Sequence, residues 1–131
     1  MDSQPLSGFP LLVGLSDEQL SGCAAGFREI EVLSDHNLAR EGGDAYAFFI
    51  VLEGQLDVHV NFEVLGTLHR GDFFGEIGLE SDGKRTAHVA SRGRVRLAKM
   101  MAWDYQKMVE QHPVLRERIA AVAAERSGEP S

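Results

Sequence analysis

From Arg28 to Met100 the apolar residues come in short bursts with the period of a strand, and glycines punctuate them at Gly42-Gly43, Gly54, Gly71 and Gly93. The alternation is plainest over Gln55–Phe62, where Leu56, Val58 and Val60 fall on one face and Asp57, His59 and Asn61 on the other. Successive side chains of a strand point to opposite faces, so this pattern commits the middle of the chain to sheet. Further strands are expected at Ile30–Leu33, Ala45–Leu52, Val64–Leu68, Ala87–Ala90 and Val95–Met100. Turns are expected at 41–44, at Glu53-Gly54, at Gly71-Asp72 and at Ser91-Arg92-Gly93. Many short strands with frequent glycine turns indicate a sandwich or barrel.

The period is helical on either side. Ser16-Asp17-Glu18-Gln19 reads as a helix start, with Ser16 as cap and Gln19 in the capping-box position. Leu20, Cys23, Ala24 and Phe27 follow at helical spacing. After the strands, Trp103–Gln111 forms one helix with Tyr105, Met108 and Val109 apolar. His112-Pro113 breaks it, because proline disfavours helix in the residue before it and fits the first turn of the next. A last helix runs from about Pro113 to Arg126. The order is therefore helix, β-roll, two helices. Residues 1–8 read as a loose N-terminal lead-in and 127–131 as a disordered tail.

The chain has 131 residues, the size of one domain, and 44% of them are hydrophobic, enough for a core. A net charge of −7 argues against a duplex DNA binder, which needs a basic face. A local pocket on an acidic protein can still be positive. The one cysteine, Cys23, excludes an internal disulfide and lies on an apolar helical stripe, so it reads as buried and inert. The N-terminus has no signal-like pattern, and the longest apolar run, Ala45–Leu52, is too short to span a bilayer. A cytoplasmic protein that binds neither nucleic acid nor membrane is expected.

Phe73-Phe74-Gly75-Glu76-Ile77-Gly78-Leu79, followed by Arg85-Thr86-Ala87, carries the chemistry. Unpaired backbone N–H groups at a short helix start there would seat an anion. Arg85 would clamp phosphate oxygens with its guanidinium fork. Glu76 does not suit a phosphate but suits a sugar hydroxyl. A phosphate seat beside a ribose acceptor describes a nucleotide whose phosphate lies close to its sugar. The bland readings are an acid favoured by the helix dipole for Glu76 and a solvated loop arginine paired with Asp82 for Arg85.

Three motifs in order give the chain a resemblance to the cyclic-nucleotide-binding domain family, over about residues 9–126. They are Phe9–Leu12 leading into Leu15–Leu20; Arg40–Asp44 followed by Phe48–Gly54; and Gly71–Leu79 with Arg85-Thr86-Ala87. That family includes regulatory subunits of cAMP-dependent protein kinase, bacterial catabolite activators and nucleotide-gated channels. The resemblance implies a mainly β fold with flanking helices. This is an eight-stranded β-roll, jelly-roll-like, with an N-terminal helix, a short cassette helix and two C-terminal helices. It implies that Gly75 lets backbone approach the ring, that Glu76 accepts the ribose 2′-hydroxyl, and that Ile77, Gly78 and Leu79 offer backbone N–H groups to the phosphate. Arg85 would neutralise the phosphate and Thr86 would add a hydroxyl near phosphate and base. The implied ligand is cAMP in preference to cGMP, with no cofactor and no metal.

The sequence departs from the family pattern in places. Gly78 replaces the usual alanine, Lys84 the usual proline, and His88 a small hydroxyl residue; Glu80 and Asp82 add negative charge. Affinity is lowered if either acid faces the phosphate. In the last helix Leu115, Ile119 and Val122 make an apolar stripe. It packs the helix against the roll or, by the resemblance, forms a lid over the base, and it would also serve a homodimer. Arg116, Arg118 and Arg126 are candidates to stack on the base.

The leading expectation is a non-catalytic switch domain acting on a homodimer, a partner or a larger effector protein. The alternative is a degenerate domain of the same fold used for protein–protein interaction. A cupin-like metal enzyme is a third reading, from His36, His59, His69, His88 and His112. It lacks the closely spaced histidine pair that such chemistry needs. No nucleophile motif supports catalysis.

Overall fold

The computed structural model describes residues 1–33, 37–39, 47–60, 63–75 and 88–127. Among these, six strands form one antiparallel sheet: β1 (Arg28–Val32), β2 (Asn37–Ala39), β3 (Ala47–Val60), β4 (Glu63–Leu68), β5 (Phe73–Phe74) and β6 (His88–Met101). Its order is β1-β6-β3-β4, with β2 also on β6 and β5 also on β3. Three helices accompany it: α1 (Asp17–Ala24), α2 (Ala102–Gln111) and α3 (Pro113–Ser127).

The strand run Ala47–Leu52 is buried throughout, and its period of two sorts it into two cores. Phe48, Ile50 and Leu52 face the helices and join Leu6, Phe9, Leu11, Leu12, Phe27, Tyr105, Met108, Leu115 and Ile119. Ala47, Phe49 and Val51 face the other way, into an interior with Leu56, Leu68, Phe74, Val89, Val95 and Leu97. A strand covered on both faces reads as a continuous apolar run, which explains why alternation is lost there. Phe48 is the hub of the first core. Its ring centroid lies 5.0 Å from that of Tyr105, 5.5 Å from Phe73 and 6.3 Å from Phe27.

The capping box at α1 is formed as expected. Ser16 Oγ accepts from Gln19 N at 3.1 Å, and Gln19 Oε1 accepts from Ser16 N at 2.9 Å. Ser16→Ala should cost about 1 kcal/mol, read as a lower urea midpoint with an unchanged slope. Cys23 is buried, and desolvation raises its thiol pKa above the ordinary value. Tyr105, Met108 and Val109 are the buried residues of α2, as their spacing requires.

Three local expectations are corrected. Glu53-Gly54 does not end a strand, and Ser91-Arg92-Gly93 does not separate two. Instead β3 and β6 each run for 14 residues and pair from Ala47↔Met101 to His59↔His88. The register slips between Val51 and Glu53 and again between Glu53 and Gln55. The glycines thus mark bulges that bend a continuous ribbon, a role that glycine in a strand shares with turns. The described residues contain six strands, where the resemblance implies eight. Residues 1–8 are not loose either. Gln4–Leu6 make a 3₁₀ turn, and Leu6 is fully buried in the helix-side core. The expected turn at 41–44 lies outside the described residues, as do residues 128–131.

On the outer face of the sheet, Arg96 bridges Glu29 at 2.7 Å and Glu53 at 3.0 Å, Arg94 pairs with Glu31, and Arg92 pairs with Asp57 at 2.6 Å. The hydrogen bond from Arg92 holds the Asp57 carboxyl below the usual carboxylate range. Exposed pairs of this kind contribute little to stability. Their consequence is that the β6 arginines are committed to carboxylates.

Candidate ligand-binding site

The turn before the cassette is stitched to β3 through backbone. Gly71 N donates to Val51 O at 2.8 Å, and Val51 N donates to Asp72 O at 2.8 Å. The Asp72 side chain closes the turn by accepting from His69 N at 2.8 Å. Phe73 and Phe74 then pair with Ile50 and Phe49 as β5. These two phenylalanines are not among the strands expected from the sequence. An adjacent apolar pair whose members enter opposite cores is the signal that they form a strand. Phe73 enters the helix-side core, while Phe74 stacks on Phe49 at 4.7 Å between centroids in the inner one.

Gly75 follows at once with φ +100°, a left-handed conformation that a side chain would strain. The chain therefore leaves β5 on a residue without Cβ. Glu76, Ile77, Gly78, Leu79, Arg85 and Thr86 lie outside the described residues. The chain returns at His88, opposite His59, and Val89 is buried in the inner core. Both ends of the 76–87 connection are thus tied to the same interior.

Leu115 and Ile119 are fully buried in the helix-side core, and Val122 packs at its margin. Of the three arginines weighed for stacking on a base, Arg118 donates to the Leu11 and Val13 carbonyls at 2.8 and 2.7 Å, and Arg116 is exposed. The Arg126 side chain lies outside the described residues. Among the described residues, no group of three or more histidine, cysteine or acidic side chains is placed to hold a metal ion. No helix among them is long and apolar enough to cross a membrane. The surface depression bordered by Glu29, Ile30, Glu31, Arg94 and Arg96 is lined by the Arg94–Glu31 and Arg96–Glu29 ion pairs.

A sheet with two apolar faces, helices over one of them, and a short strand anchored at its edge make a mainly β fold with flanking helices. The profile of the cyclic nucleotide-binding domain matches residues 29–112, and the chain belongs to that family. It is 35% identical over 77 residues to a cGMP-dependent protein kinase of Toxoplasma gondii, covering 59% of this chain and 8% of the kinase. It is 29% identical to a cyclic nucleotide-gated potassium channel of Rhizobium etli, covering 97% of this chain and 36% of the channel. A cAMP-dependent protein kinase regulatory subunit of Neurospora crassa is 26% identical, over 92% of this chain and 32% of the subunit. The chain thus spans about a third or less of these relatives.

Among solved structures, the second cyclic-nucleotide domain of a protein kinase A regulatory subunit with bound Sp-2Cl-cAMPS superposes at a TM-score of 0.82. That match has 17% identity and covers 98% of this chain and 90% of the other. A catabolite activator protein from Thermus thermophilus superposes at 0.78 with 24% identity, over 89% of this chain and 57% of that one. These likenesses establish the fold.

Proposed function

We propose that this chain is a non-catalytic regulatory domain that binds cAMP, in preference to cGMP, and moves its C-terminal helices in response. The observation that carries the reading is the family match over residues 29–112 around an anchored Gly75 in left-handed conformation. Gly75 admits the ring, and Glu76 accepts the ribose 2′-hydroxyl. The N–H groups of Ile77, Gly78 and Leu79 meet the cyclic phosphate, Arg85 neutralises it, and Thr86 adds a hydroxyl near the base. Support for cAMP comes from the regulatory subunits among the relatives and from the ligand in the structural neighbour. In this reading Leu115, Ile119 and Val122 leave their present packing and cover the base. The output lies in a homodimer, a partner or a longer effector protein, in the cytoplasm.

A thermal shift tests the binding. A ligand held only by the folded state stabilises it by RT ln(1 + [L]/Kd), about 1.4 kcal/mol at ten times Kd. Millimolar cAMP should raise the midpoint by a few degrees, and 5′-AMP should not. An unmoved midpoint in cAMP and in cGMP would contradict the proposal.

A further inference from the structure

Among the described residues, α3 packs on the rest of the protein through an apolar stripe. Leu115 and Ile119 enter the core and Val122 lies at its edge, while most other described positions of the helix are exposed. Arg118 provides a polar attachment. Its Nη1 donates to Leu11 O at 2.8 Å and to Val13 O at 2.7 Å. Those carbonyls close a helical turn that starts at Phe9, whose carbonyl accepts from Leu12 N and Val13 N at 2.9 Å. The last carbonyls of a turn have no partner within it, and a guanidinium there satisfies two together.

The same turn reaches toward the ligand site. The Arg70 guanidinium sits 5.3 Å from the Phe9 ring centroid. A Cβ on Gly71 would lie 3.6 Å from Pro10. Phe9, Leu11 and Leu12 share their core with Phe73, two residues before Gly75 in the chain. Residues 9–13 thus touch α3 on one side and the 70–73 segment on the other.

We propose that Arg118 is a positioning residue for ligand binding. Its paired hydrogen bonds latch α3 to the 9–13 turn, and their release accompanies movement of α3 toward the occupied site. The inference rests on the proposed function, because it assigns α3 a second position. Arg118 is only half-buried, so water can take over its donors on release. Among the described residues its partners are neutral carbonyls, so release breaks no ion pair. A helix most of whose described positions are exposed belongs to the low-stability end of a structure, from which moving elements are drawn.

Hydrogen exchange and cAMP titration of wild type, Arg118→Ala and Arg118→Lys test the latch. Without nucleotide, Arg118→Ala should exchange faster across 113–127 while β3 is unchanged. It should also bind cAMP more tightly, by roughly three- to tenfold, because the fraction of helix free to close rises. Arg118→Lys, whose ammonium still reaches a carbonyl, should restore both values in part. A merely structural role predicts weaker or equal binding in Arg118→Ala, and that result overturns the inference. Unchanged exchange across 113–127 overturns it too, whatever the nucleotide result. Failure of the wild type to bind cAMP or cGMP overturns instead the reading of the site. Arg118→Gln carries the same comparison if the alanine variant does not fold.

Discussion

Arg85→Ala is expected to weaken cAMP binding by about 2–3 kcal/mol, roughly 30- to 150-fold, with the fold intact. A cyclic monophosphate presents one negative charge on a diester. Backbone N–H groups can solvate that charge but cannot neutralise it. On β6, Arg92, Arg94 and Arg96 already serve carboxylates on the outer face of the sheet. They are therefore poor substitutes for a lost phosphate ligand, and the effect should approach the full worth of a charge-assisted pair. Arg85→Lys keeps the charge and loses the fork, so it should fall between wild type and alanine. Calorimetric titration of the three proteins reads the series. Equal affinities for wild type and Arg85→Ala would remove Arg85 from the site.

Gly54→Ala is expected to destabilise the protein by about 3 kcal/mol, through two independent causes. Gly54 has φ +96°, where a Cβ is strained. A Cβ there would also stand 2.7 Å from the Arg94 carbonyl oxygen, 2.6 Å from Val95 Cγ1 and 3.0 Å from Val95 Cα. Two of those neighbours are backbone, so a rotamer change cannot relieve the overlap. The two long strands would have to part where they bend, and Val95 fills the inner core. Urea unfolding measures the loss. A change below about 1 kcal/mol would show that the bulge can shift to admit a methyl group, against this account.

What the sequence disclosed was whatever is decided locally. Ser16 and Gln19 cap a helix through contacts three residues apart, and Leu56 and Val58 alternate within one strand. Tyr105, Met108 and Val109 share a stripe by helical period alone. What it concealed depended on a distant partner. Whether Glu53-Gly54 turns or bulges is decided by the Arg94 and Val95 backbone on another strand. Phe73 and Phe74 become a strand only because Ile50 and Phe49 lie beside them. Arg118 was weighed as a base-stacking side chain, yet its acceptors lie 107 and 105 residues away.

The candidate site was proposed from a different kind of signal. Gly75, Glu76, Arg85 and Thr86 are a compact motif, and a compact motif survives in sequence where a long-range contact does not. Of these four, Gly75 is described and has a left-handed backbone, while Glu76, Arg85 and Thr86 lie outside the described residues.

Calorimetric titration of the wild-type protein with cAMP, cGMP and 5′-AMP tests the central claim most directly. One site per chain should take up cAMP, with cGMP weaker and the open-ring 5′-AMP without measurable heat. Absence of binding by either cyclic nucleotide, or equal binding of 5′-AMP, would contradict it.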